Sequence, residues 1–177
     1  MQYRIATPAD AEAIAEVHTK SWRRTYRGNL RDEFLDGDLM ANRRLVWRER
    51  LGRLQSHQFV CVAAFETHIA GFVCAYGGQD PEWGSLIDNL HVAHSHQREG
   101  IGLALMRHAG AWLVSFYGLC GVYLWVWEAN AAARRFYESL GASNSGTVER
   151  ENTGGGTARY CRYVWPGPHV LAEISAG

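Results

Sequence analysis

The chain has 177 residues and is 47% hydrophobic, enough for one domain that buries most of its apolar surface in a single core. Eighteen basic side chains balance eighteen acidic ones, which argues against a nucleic-acid footprint or an acidic tail and points to a small or local partner. Lys20 is the single lysine against 17 arginines, so there is no G-K-[ST] phosphate loop and little prospect of Schiff-base chemistry.

Tyr3 to Ala6 reads as a short edge strand, with Thr7 as N-cap and Pro8 at the first position of a helix. Ile14, Val17 and Ser21 or Trp22 share one face of that helix, and Gly28 breaks the pattern after Trp22 and Tyr26. Met40, Trp47, Leu51 and Leu54 are spaced as one face of a second helix. Arg43, Arg44, Arg48, Arg50 and Arg53 occupy its other sides and read as a solvated face with Glu49 among them; an acidic acceptor is the other reading.

Gln58 to Phe65 and Ile69 to Tyr76 form two β-rich runs joined by a hairpin at Glu66-Thr67-His68. Both are apolar on both sides, as in the middle of a covered sheet. Gly77-Gly78 and Asp80-Pro81 mark a connection to a strand containing Leu86, Ile87, Leu90 and Val92. After a polar loop, Ile101, Leu105, Met106, Ala109, Trp112 and Leu113 recur at helical spacing. That loop closes on Gln97-Arg98-Glu99-Gly100-Ile101-Gly102, where exposed N–H groups and small residues at a helix start suit a phosphate. Val122 to Trp127 is the next strand, Ala131 to Leu140 a helix stopped by Gly141, and Ser143–Arg150 and Thr157–Trp165 two further strands. Pro166-Gly-Pro168 is expected to end the domain, 1–168, leaving 169–177 as a mobile tail.

Strand, Q-x-x-G-x-G loop, helix, strand and then Asn130-x5-Phe136-Tyr137-x2-Leu140-Gly141 follow in an order and spacing that resembles the GNAT superfamily of acetyl-CoA-dependent N-acetyltransferases. The resemblance covers nearly the whole chain. It implies an α/β fold with a mixed, mostly antiparallel twisted sheet of about seven strands, helices on both faces and a split at the central strand. It also implies acetyl-CoA as cosubstrate, direct transfer in a ternary complex, and an amine acceptor that is a small molecule or a protein N-terminus. Dimers are frequent among such proteins.

By the same resemblance Leu90, His91 and Val92 face the pantetheine arm, Gln97, Arg98, Glu99, Gly100, Ile101 and Gly102 hold the pyrophosphate, and Asn130 contacts the cofactor across the gap. Tyr137 matches the residue that protonates the leaving thiolate, and Trp22, Tyr26 and Trp83 would wall the acceptor site. Two departures stand out. Arg98 and Glu99 replace the usual glycine and basic residue, and Leu86 occupies the place of the usual glutamate base. Asp88 is the preferred substitute, acting through water; it shares a strand face with Leu86 if no bulge intervenes, whereas His91 has opposite parity and Glu82 lies in the preceding loop.

His91, His94 and His96 superficially read as metal ligands, but the strand-to-loop placement scatters them, and no metal is expected. Four cysteines without CxxC pairing suggest buried free thiols in a reducing compartment. With no apolar leader or membrane-length run, a cytoplasmic protein with no membrane partner is expected. The rival class is a non-catalytic acyl-CoA-binding sensor or assembly module.

Overall fold

In the computed structural model residues 1–28, 30–152 and 155–174 are described. Strands β1 (Gln2–Ile5), β2 (Gln58–Ala64), β3 (Ile69–Asp80), β4 (Gly84–Val92), β5 (Val122–Trp127), β6 (Ser143–Glu151) and β7 (Thr157–Trp165) form one sheet. Its order is β1-β2-β3-β4-β5-β7-β6, antiparallel throughout except where β4 meets β5. β2 is buried along its whole length, because helices cover both of its faces.

One face carries α4 (Ile101–Tyr117), α5 (Ala131–Ser139) and the short α6 (Pro168–Ala172). Its core joins Val73, Ala75 and Ile87 of the sheet to Ile101, Leu105, Met106 and Leu113 of α4 and Tyr137 of α5. The other face carries α1 (Ala11–Thr25) and α3 (Leu39–Gly52), linked through α2 (Asp32–Asp36). There Ile14, Ala15 and Trp47 pack on Val60, Val62, Phe72 and Cys74. Each fully buried Leu, Ile or Phe contributes about 1.5–3 kcal/mol, so the two layers clamp the sheet in place.

Three expectations need correction. Helix α3 ends at Gly52, so Leu54 falls outside it and is 44% exposed. Gly77 to Asp80 continue β3 rather than forming a connection, and the turn into β4 is only Pro81–Trp83, with Asp80 paired to Gly84. The segment after Pro168 is not loose: α6 packs on α4 with Leu171 fully buried, while residues 175–177 of the expected tail lie outside the described residues. All four cysteines are unpaired, and Cys61, Cys74 and Cys161 are buried in strands. Among the described residues no helix is long and apolar enough to cross a membrane.

Gly84 fixes where the sheet divides. It has φ +84°, and a Cβ there would lie 2.2 Å from the Gly121 carbonyl oxygen, so only glycine lets β4 start this close to the chain entering β5. Ser85 and Leu86 pair with Val122 and Tyr123, and β4 and β5 then part. Beyond that point β5 keeps β7 on one edge and is open on the other.

Candidate active site: a divided sheet, a free helix start and a charged cleft

A bulge shapes the exposed part of β4. Ile87 pairs with Ala75 and Asn89 with Cys74, so Asp88 is the extra residue between them. Strict alternation would set Asp88 and His91 on opposite faces. The bulge instead turns Asp88, Asn89 and His91 all toward one cleft, while Ile87, Leu90 and Val92 face the α4 core. The sequence expectation of opposite parity fails at this single residue.

The main chain beyond the bulge is poised for a ligand. Ala93 N–H donates to the Ala70 carbonyl at 2.7 Å. By the alternation of an antiparallel ladder, the N–H and C=O groups of Val92 and Leu90 point the other way, into the gap left by β5. Gln97 Nε2 lies 3.5 Å from the Val92 carbonyl and Gln97 Oε1 lies 3.2 Å from His94 Nδ1, tying the loop to the strand end.

Gly100 caps α4 with φ +78°, and no heavy atom lies within 4 Å of the place its Cβ would take. The first-turn N–H groups of Ile101 and Gly102 have no acceptor within the helix, while the Ile101 side chain is buried and anchors the turn. Arg98 is the one described non-glycine residue with positive φ, at 69°, which costs an L-residue roughly 1–2 kcal/mol. Glu99 does not pair with Arg98: its Oε2 lies 3.2 Å from His96 Nδ1, and His96 stacks on Phe65 and His68. Arg98 is thus free to turn toward the helix start. His91, His94 and His96 do not converge, since His91 faces the cleft, His94 meets Gln97, and His96 meets His68 and Glu99.

On the α1/α3 side of β4 lies a cleft of about 400 Å³. His18 and His91 form its base, with ring centroids 4.5 Å apart. Trp22, Tyr26 and Trp127 form an aromatic wall, Trp22 to Tyr26 at 5.3 Å and Tyr26 to Trp127 at 5.0 Å. Asp88 binds Arg50 Nη1 at 2.6 Å and also accepts from Asn89 Nδ2 at 2.6 Å. The Asn89 side-chain carbonyl oxygen is buried and has no hydrogen-bond partner among the described residues, while the residue as a whole borders the cleft.

Burial, with the nearby Arg43 guanidinium, lowers the His91 imidazole to about 4, so at neutral pH it is uncharged. Its Nδ1 is 2.9 Å from Ser21 Oγ. Burial, then His91, Arg43 and Arg50, push His18 well below its ordinary value. Burial raises the Tyr26 phenol to about 12, and raises the Tyr137 phenol further still, with Tyr26 adding to the effect. Tyr137 packs between Phe136, Tyr163 and Trp165 at the foot of α5, and it stays protonated.

Two of the candidate residues sit away from the cleft, and a third has a local capping role. Trp83 does not line the cleft; its ring stacks under the Arg162 guanidinium at 3.9 Å. Glu82 is exposed in the β3–β4 turn, its N–H bound to Asp80 Oδ1. Asn130 is the N-cap of α5, its Oδ1 accepting from Ala133 N–H at 3.1 Å. Conversely His18, Asn89, Arg43 and Trp127 line the cleft without having been singled out as site residues.

The sequence profile of the acetyltransferase (GNAT) family matches residues 13–142. No curated protein sequence matches this one significantly. Among solved structures, the PaiA N-acetyltransferase of Thermoplasma acidophilum in complex with coenzyme A superposes with a TM-score of 0.68 at 18% identity, covering 93% of this chain and 98% of that one. YjaB of Escherichia coli, in its apo form, gives 0.69 at 20% identity over 94% and 97% of the two chains. An N-acetyltransferase of Staphylococcus aureus gives 0.64 at 17% over 93% and 96%. With most of its length matched by the family profile and its sheet divided after Leu86, this chain belongs to the GNAT acetyltransferase family.

Proposed function

We propose that the protein moves an acetyl group from acetyl-CoA to a primary amine by direct transfer in a ternary complex. The observation that carries the reading is the opening of the sheet: β4 main-chain groups at Leu90 and Val92 that face away from β3 are followed, after the loop from Ala93 to Gly100, by the N-terminus of α4. In this reading the amide-rich pantetheine arm pairs with the main chain of Leu90 and Val92, while His91, whose main-chain groups face β3, only lies between them, and the pyrophosphate sits on the loop from Gln97 to Gly102, with Arg98 adding charge. The solved complex of the PaiA enzyme with coenzyme A supports the choice of cofactor. Asn130 borders the same gap from the start of α5.

The acceptor enters through the charged cleft. Arg43 and Arg50 disfavour a positive amine there, so the acceptor binds more readily as the neutral nucleophile. Its nitrogen attacks the thioester carbonyl at the opening between β4 and β5. Loss of the amine proton passes through water to Asp88 or His91. As the carbon–sulfur bond breaks, the protonated phenol of Tyr137 donates to the departing thiolate, and the net proton moves from nitrogen to sulfur.

The test combines binding with turnover. Saturating acetyl-CoA at ~100 times its dissociation constant adds ~2.7 kcal/mol, a melting shift of roughly 5–10 °C. Thiol release on adding amines completes the case for an acetyltransferase. A shift with no thiol release across a broad amine panel would instead favour a cofactor sensor, and no shift at all would overturn both.

A further inference from the structure

The cleft beside β4 holds a cation that none of its own acids answers. Arg43 projects from α3 into it, its guanidinium 4.7 Å from the centre of the Trp22 ring. Its hydrogen bonds go from Nε (3.0 Å) and Nη2 to the Asn42 side-chain carbonyl, a neutral group. Among the described residues no carboxylate forms an ion pair with it: of the two acids that line the cleft, Asp88 binds Arg50 and Glu151 makes no ion pair with Arg43. On the same helix Arg44 and Arg48 point outward and meet Glu12. Burial and the neighbouring Arg50 work against the charge on Arg43, and Asp88 offsets them in part. A partly buried guanidinium whose hydrogen bonds go to one amide, with an aromatic ring beside it, gains a charge-assisted partner in any anion that can reach it.

The remaining walls describe the rest of such a ligand. Trp22, Tyr26 and Trp127 offer a continuous aromatic face, suited to an apolar or aromatic group. The β4 bulge, beside which β4 parts from β5, is where an amine would have to meet a thioester. Anion seat and apolar wall thus converge beside it in one cleft of about 400 Å³.

We propose that the acceptor is a free amino acid with an apolar or aromatic side chain: its carboxylate on Arg43, its side chain on the Trp22–Tyr26–Trp127 wall, and its α-amine toward the β4 bulge. This rests on the acetyl-transfer reading above. The chemistry balances as an amide synthesis: the new carbon–nitrogen bond replaces the carbon–sulfur bond, and the amine's proton leaves with coenzyme A as its thiol. A protein N-terminus is disfavoured, since the carbon bearing its amine carries an amide in place of the carboxylate.

The experiment measures thiol release from acetyl-CoA with matched pairs: phenylalanine, tryptophan and leucine against phenethylamine, tryptamine and isoamylamine. The wild type should prefer each amino acid by about ten- to hundredfold in kcat/KM, the range of a charge-assisted hydrogen bond. Arg43→Gln should collapse that preference to within about threefold, mainly through KM, while Arg44→Gln keeps it. An acetyl-CoA melting shift in Arg43→Gln equal to wild type shows that the variant is folded. Equal or better turnover of the amines, or a preference that survives Arg43→Gln, overturns the proposal. If no compound is turned over, calorimetry on the coenzyme A-saturated protein decides. Amino-acid binding that needs Arg43 keeps the amino-acid site and sinks the transferase reading; binding without carboxylate preference, or none, sinks the amino-acid site.

Discussion

Trp47 Nε1 donates a 3.0 Å hydrogen bond to His18 Nδ1 beneath the cleft, and both residues are buried. An indole nitrogen only donates, so His18 must present a lone pair on Nδ1 and carry its proton on Nε2. The base of the cleft is therefore set by α1 and α3 together, through residues 29 positions apart in the chain. Trp47→Phe leaves that ring nitrogen buried and unpaired, at a cost of about 1–3 kcal/mol. Urea unfolding should show the loss, and adding His18→Phe to the variant should recover part of it, because the orphaned nitrogen is then removed.

Acid should weaken the fold in two separate steps. His18 and His91 have folded values below the ordinary 6.5, His91 at about 4, so between those pH values the unfolded chain binds protons that the folded chain refuses. Stability should be flat above pH 7, fall as the pH drops from about 6.5 toward 4, and level off. Asp10 behaves oppositely in origin. Its two hydrogen bonds from Arg4 hold it at about 2, so its contribution is intact above 3.8 and disappears as the pH falls from 3.8 to about 2. His91→Asn should shrink the upper step, leaving the His18 part of it, and should not touch the lower one. Arg43, Arg50, Asp88 and Ser21 surround the two histidines, and an unchanged upper step in that variant would assign it elsewhere.

Gly84→Ala should be among the most damaging small substitutions in the chain. A methyl group would meet the Gly121 carbonyl oxygen at 2.2 Å in a backbone conformation that alanine avoids. A loss of about 3 kcal/mol or more is expected, a fall of roughly 6–12 °C in melting temperature for a domain of this size. Calorimetry of the purified variant checks it.

Arg98→Gly separates backbone strain from charge. Relief of φ 69° should raise stability by up to about 1 kcal/mol. If Arg98 meets phosphate, the same variant should bind acetyl-CoA more weakly, so its melting point rises while its ligand-induced shift shrinks. Glu99→Ala, which only releases His96, should leave the ligand shift unchanged or slightly larger.

Tyr137→Phe keeps the ring packing and removes the hydroxyl. A loss of about 10²-fold or more in kcat with an unaltered acetyl-CoA shift is expected for a proton donor. Asp88→Asn is harder to read, because it also strands Arg50. The double variant with Arg50→Gln resolves this: if Asp88 serves only to hold the arginine, activity and stability return together, whereas a base leaves activity low in both.

Much of the fold is legible in the sequence where period and length agree. β5 occupies Val122–Trp127 as expected, α4 starts at Ile101, and the Gly100 turn lies where the glycines place it. Short elements are not: α2 and α6 have five residues each, too few for a helical period to show. The bulge is hidden for a different reason. Leu-Ile-Asp-Asn-Leu-His-Val reads as an unbroken strand, and only pairing with β3 reveals that Asp88 is extra. Likewise the arginines of α3 look alike in sequence. The packing of α3 against α1 decides that Arg44 and Arg48 meet Glu12 while Arg43 and Arg50 enter the cleft. The reading of the whole run as a solvated face therefore holds for only part of it.

A sheet that parts after Leu86 has two extra edges in its interior. Edges on the outside of a sheet invite pairing with other chains, but these lie between α4 and α5 on one face and the α1 side on the other. The amides of Leu90 and Val92 should therefore exchange with solvent deuterium far faster than those of Val73 or Phe72 on the neighbouring strand, and a bound molecule that completes the ladder would be reported by their slowing.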